Sequence, residues 1–176
     1  DKPGELAQWP RTYAVGPSFY PAPIVPKDKP DTVEYAALFL QDYLQRMSGG
    51  VLPIVRESAA PADGTLVLIG RCAGIADFGI DPVALEPEGF RIKTGARGVA
   101  VVGETALADS HAAGYDRGTL FGVYELLERL GVRWYFPGEL GTIVPERETV
   151  VVPAMDITDA PFLWLRAGGV SGSAAD

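Results

Sequence analysis

The sequence predicts an α+β domain, a mixed β-sheet with two main helices packed on one face. Three observations carry that expectation. Two segments, 33–47 and 120–130, place apolar residues at helical three-and-four spacing. The segment 90–102 alternates and doubles back as a hairpin. Several short apolar runs of strand length lie between glycines and prolines. With 176 residues, 47% of them apolar and 22% charged, the chain can bury a sizeable core in one main domain.

The elements follow in chain order. Seven of the 15 prolines fall within the first thirty residues. Proline lacks an amide donor and fixes φ, so residues 1–30 read as an extended segment with an edge strand. Tyr13-Ala14-Val15 and Ile24-Val25 are its candidate strand pieces. Residues 31–160 form the main domain. Asp31-Thr32-Val33-Glu34 reads as a helix start, a capping side chain followed by an acid. Val33, Ala36, Ala37, Leu40, Leu44 and Met47 make the buried stripe of that first helix. Asp42 and Arg46 pair four apart, and Gly49-Gly50 stops the helix.

Val51 to Val55 reads as an edge strand because Pro53 interrupts it. Leu66-Val67-Leu68-Ile69 is a continuous apolar run, suited to a strand covered on both faces. Residues 71–87 read as irregular. Phe90, Ile92 and Thr94 alternate with Arg91 and Lys93, Gly95-Ala96-Arg97-Gly98 turns, and Val99 to Val102 returns. A loop of small and polar residues spans about 104–116. The second helix runs from Arg117 or Thr119 to Leu130, with Leu120, Val123, Tyr124, Leu127 and Leu130 as its stripe. Gly118 and Gly122 lie one turn apart near its start, which predicts close packing of bare backbone against a sheet or another domain. Val132 to Phe136 and Thr149 to Val152 are the remaining strands.

Composition removes several functions. A formal net charge of −8 argues against nucleic acid or an anionic membrane as the main partner. No apolar run approaches a membrane span. A single Cys and a single His exclude an intrachain disulfide and a Cys/His zinc site, so no metal and no cofactor are expected. Cys72 reads as a small buried filler, and His111 as a solvated loop residue. Gly70-Arg71-Cys72-Ala73-Gly74 has no helix signal after it, which argues against a phosphate-binding turn. Glu125 and Glu128 read as a solvated helix face, Asp156 and Asp159 as turn or cap residues, and Glu139 as a loop carboxylate without a visible partner. No catalytic residue is assigned. Trp134 and Phe136 alternate with Tyr135, and core filling is the simpler reading. Trp164, in Pro161-Phe162-Leu163-Trp164-Leu165-Arg166, has little chain left to pack it and calls for a partner surface.

Three stretches together resemble a known arrangement. They are Ala36 to Gly50, then Arg117-Gly118-Thr119-Leu120-Phe121-Gly122-Val123-Tyr124-Glu125-Leu126-Leu127-Glu128-Arg129-Leu130-Gly131-Val132-Arg133-Trp134, and Asp159 to Arg166. Residues 20–166 resemble the domain that precedes the catalytic barrel in α-glucuronidases of glycoside hydrolase family 67 and β-N-acetylhexosaminidases of family 20, and in related bacterial proteins. The resemblance implies a β-N-acetylhexosaminidase-like fold with its helices against a (β/α)₈ barrel of the same polypeptide. It implies that the catalytic acids sit on that barrel, with residues 161–176 as its start or the linker to it. It also implies that Arg166 meets sugar hydroxyls, although Ala167-Gly168-Gly169 departs from the hexosaminidase pattern. Only ten residues follow Arg166, far short of the ~250 a barrel needs, so the chain reads as a piece of a longer protein. The expected role is that of a non-catalytic accessory domain of a glycoside hydrolase. The alternative is a glycan-binding module stacking sugars on Trp134, Tyr135 or Trp164. The compartment stays open, with an extracellular or periplasmic setting favoured.

Overall fold

The computed structural model describes residues 14–15, 32–104 and 117–162. Its main sheet has five strands: β1 (Ala14–Val15), β2 (Leu66–Ile69), β3 (Phe90–Gly95), β4 (Gly98–Gly103) and β7 (Asp156–Asp159). Their spatial order is β1-β2-β4-β3-β7. The β1–β2 and β2–β4 pairs are parallel, and β4–β3 and β3–β7 are antiparallel. A separate two-stranded ribbon joins β5 (Arg133–Trp134) to β6 (Thr142–Ile143). The helices are α1 (Thr32–Ser48) and α2 (Arg117–Arg129).

Both helices cover one face of the sheet, as the two apolar stripes required. Every residue of the expected α1 stripe is buried. Gly49 then takes φ +72° and ends the helix. On α2 the buried strip is rotated from the expected one. Thr119, Gly122, Val123, Leu126 and Leu127 face the core, while Leu120 and Tyr124 are only half-buried. The glycines explain the rotation. A Cβ on Gly118 would stand 2.2 Å from the Gly89 carbonyl oxygen, and one on Gly122 would stand 2.7 Å from Val101 Cγ1. Helix backbone therefore lies directly on β4 and β3, and the larger side chains are pushed sideways towards α1. Thr119 locks the contact by accepting the Gly103 amide at 2.9 Å.

Period-two alternation divides the sheet residues between two cores. Ile69, Ile92, Val99 and Val101 meet the helices. Leu68, Ala100 and Val102 point the other way, against Cys72, Ile75, Phe78 and Ile80. A 3₁₀ helix at Ala73–Phe78 supplies that second cover where an irregular segment was expected. Its signal was the three-residue spacing of Ile75 and Phe78, which eclipse on a 3₁₀ turn.

Three strand expectations need correction. Val51 to Val55 forms no strand and joins no ladder. Val132 to Phe136 contributes only two residues, and to the small ribbon rather than the main sheet. Thr149 to Val152 is not a strand, and the edge position goes to β7. There Ile157 lies opposite Ile92 and Asp156 opposite Lys93. Asp156 accepts two hydrogen bonds from Arg91, at 2.9 and 3.0 Å, and lies 3.3 Å from Lys93. Cross-strand charge pairing overrides the higher β-propensity of the earlier run. Ile24-Val25 and the loop at 105–116 lie outside the described residues.

Candidate functional site

The surface with most character begins on α1. Tyr35, Phe39 and Tyr43 are four apart and line one side of the helix. Their rings touch in series, at 6.0 Å for Tyr35–Phe39 and 4.6 Å for Phe39–Tyr43. Tyr124 of α2 meets Phe39 edge-on at 5.1 Å. Trp134 of β5 closes the seam against Tyr43 at 5.4 Å and Tyr124 at 5.8 Å. Its Nε1 donates to Tyr43 Oη at 2.7 Å. Edge-to-face geometry of this kind adds about 0.5–1.5 kcal/mol per pair to simple burial. Burial raises the Tyr124 phenol above its ordinary range, helped by the nearby Tyr35 and Tyr43 phenols.

Arg46 ties the seam to the β5–β6 ribbon. Its guanidinium lies 4.9 Å over the Tyr43 ring and reaches Glu139 at 3.0 Å. Glu139, a loop carboxylate expected to stand without a partner, thus has one. Asp42 sits 3.9 Å from Arg46. Burial nevertheless raises its carboxyl, with Arg46 opposing the shift and Glu139 adding to it.

The loop between β5 and β6 is the most apolar exposed part of the described residues. Tyr135 is 70% exposed, Phe136 56%, Leu140 93% and Ile143 52%. Phe162 is also open, and the remainder of its apolar run lies outside the described residues.

Two hollows lie among the described residues. A cleft of about 200 Å³ on the face away from the helices is lined by Glu57, Leu68, Phe78 and Arg97, among others. One of about 130 Å³ lies between α1 and β2, where the Gln41 amide donates to the Leu52 carbonyl at 2.6 Å and leaves its own oxygen unpaired. Both are smaller than the ~300 Å³ at which small-molecule pockets begin. Several carboxylates instead pair with cations: Glu104 with Arg71 at 2.9 Å, Glu125 with Arg129 at 2.7 Å and Glu88 with Arg117 at 3.3 Å. Among the described residues, no three His, Cys, Asp or Glu side chains are grouped to hold a metal ion. No described helix is long and apolar enough to cross a membrane.

The residues singled out from sequence separate clearly. Trp134 belongs to the aromatic seam, half-buried with its N–H used, while Tyr135 faces solvent. Cys72 is buried, and desolvation, with the Glu57 charge adding to it, pushes its thiol up to about 11. Asp156 and Asp159 are strand residues rather than turn or cap residues. After Gly70 comes a 3₁₀ helix too short to offer an anion site. Trp164, Arg166 and His111 lie outside the described residues. Sequence reading missed the α1 aromatic row, although its four-residue spacing was visible, and it missed Leu140 and Ile143.

No family model matches the chain, and no curated protein matches it. Solved structures do match. One is a family GH115 4-O-methyl-α-glucuronidase with specificity for decorated arabinogalactans, at 18% identity and a TM-score of 0.56. The match covers 85% of this chain and 17% of that enzyme, so the chain spans a small part of the solved protein's length. The likeness shows the fold, an α+β domain that also occurs within a glycoside hydrolase. It bears out the expected fold class; the finer expectation of families 67 or 20 is not what this match shows.

Proposed function

We propose that this chain is a non-catalytic domain of a carbohydrate-active glycoside hydrolase, and that it covers part of a catalytic domain carried by the same polypeptide. The observation that carries this reading is the fold match to a fraction of a much longer glucuronidase. The pairing of carboxylates with arginines agrees with it, because a general acid and base must instead converge on a substrate. A glycan bearing glucuronic acid is the proposed substrate class of the whole protein, which favours the α-glucuronidase side of the resemblance over the hexosaminidase side. Arg166 and Trp164 keep their proposed place at the entry to the barrel, with Arg166 on sugar hydroxyls. The glycan-binding alternative is weaker. Three neighbouring rings pack against the Trp134 indole at 39–74° and its N–H is already bonded to Tyr43, which leaves the exposed Tyr135 as the described platform for that alternative.

Activity assays test the proposal. The purified 176-residue chain is expected to release no chromophore from nitrophenyl α-glucuronides or N-acetylhexosaminides. Turnover by the chain alone, abolished in Arg166→Ala, would overturn the non-catalytic reading.

A further inference from the structure

We infer that the β5–β6 ribbon is a preformed docking knob, and that its occupant is an apolar hollow on a further domain of the same polypeptide. The inference rests on the reading above, that the chain is one domain of a longer protein. It names the surface through which that domain is held.

The ribbon is built firmly. Tyr135 N–H donates to the Gly141 carbonyl at 2.8 Å, and Gly141 N–H donates to that of Gly138 at 3.1 Å. A Cβ on Gly141 would stand 2.0 Å from the Phe136 carbonyl oxygen, so the tip closes on itself at a residue without a side chain. The Trp134–Tyr43 hydrogen bond anchors its base to α1, and the Glu139–Arg46 ion pair ties the turn at its tip to the same helix. A tip ordered by its own fold loses little entropy on docking.

What it displays is mainly apolar, with the exposed Arg133 opposite Ile143 and Glu139 beside Leu140 as charged neighbours. Tyr135 and Ile143 share the outer side of the ribbon by alternation, Phe136 lies over Gly141, and Leu140 caps the tip. At their fractional exposures the four side chains offer on the order of 500 Å². That is near the upper end for the largest apolar patch of an ordinary monomer. Domains within one polypeptide hold together over about 600–1,500 Å² in total, so a patch of this size, met by an equal area, is sufficient for a tethered neighbour. The solved enzyme of like fold, of which this chain matches only 17%, has ample chain for such a neighbour.

Hydroxyl-radical footprinting of the polypeptide as its gene encodes it, compared with the 176-residue chain, tests the inference. Labelling of Leu140, Tyr135 and Phe136 is expected to fall about tenfold in the encoded polypeptide, as for side chains moved into an interface core. Leu140→Asp should restore labelling of Tyr135 and Phe136, because a docked carboxylate would be desolvated without a partner. Val83→Asp, at an exposed position on a separate 3₁₀ turn, should leave the protection intact. Equal labelling in both forms, with a further domain present, overturns the docking knob and spares the proposed function. Protection that appears only with protein concentration, together with a two-chain mass, overturns the tethered occupant. A gene encoding no further domain overturns both.

Discussion

Tyr43 does three things with one side chain. Its ring packs between Phe39 and Trp134, its face takes the Arg46 guanidinium, and its hydroxyl accepts the Trp134 indole N–H. Tyr43→Phe would keep the packing and remove the acceptor, leaving a part-buried donor unpaired. The expected loss is about 1 kcal/mol of stability by urea denaturation, with an upfield shift of the Trp134 indole proton. A variant as stable as the parent would mean that water replaces the hydroxyl. The row Tyr35, Phe39, Tyr43 was legible from its spacing alone. That Trp134 completes it was not, because nothing local links positions 43 and 134.

Among the elements, the helices and the central hairpin were readable and the edges were not. Burial of the α1 stripe and of Phe90 and Ile92 follows from periodicity, while the continuous apolar run Val99 to Val102 is covered on both faces. Edge strands compete on smaller margins. The Thr149 to Val152 run has the better intrinsic propensity, yet β7 wins through Ile157 against Ile92 and Asp156 against Arg91 and Lys93. The Arg91 hydrogen bond, with Lys93 assisting, holds the Asp156 carboxyl below its ordinary value of 3.8. A carboxyl lowered by folding stabilises the folded state above its unfolded pKa, and that contribution fades as pH falls through the folded value. The wild type should therefore melt above Asp156→Asn at pH 6–7, and the gap should close as pH drops below about 4. Melting curves across that range check the sign, and a gap that widens in acid would refute the pairing.

The two apolar clusters lie on opposite faces of one sheet, and β4 feeds both, with Val99 and Val101 on one side and Ala100 and Val102 on the other. Because β4 contributes side chains to both clusters, the described residues should unfold as one cooperative unit. Cys72 reports on this. It sits in the smaller cluster with a thiol pushed up to about 11, and should resist alkylation at pH 8 in the native state. Its labelling in rising urea should coincide with loss of helical circular dichroism from α1 and α2. Labelling that runs ahead of the helices would show that the 3₁₀ cover opens independently.

Periodicity and composition alone established the α+β class, the two helices on one face, the central hairpin and the absence of the Cys- and His-based sites that need more than one of each residue. Those properties depend on patterns within a dozen neighbouring residues, where burial of one face leaves a single solution. The identity of the fifth strand, the 3₁₀ cover on the second face, the rotation of α2 about its glycines and the apolar knob at the ribbon tip were decided only in three dimensions. Each depends on which distant side chains meet, Asp156 with Arg91 or Gly122 with Val101, and such meetings leave no periodic trace along the chain.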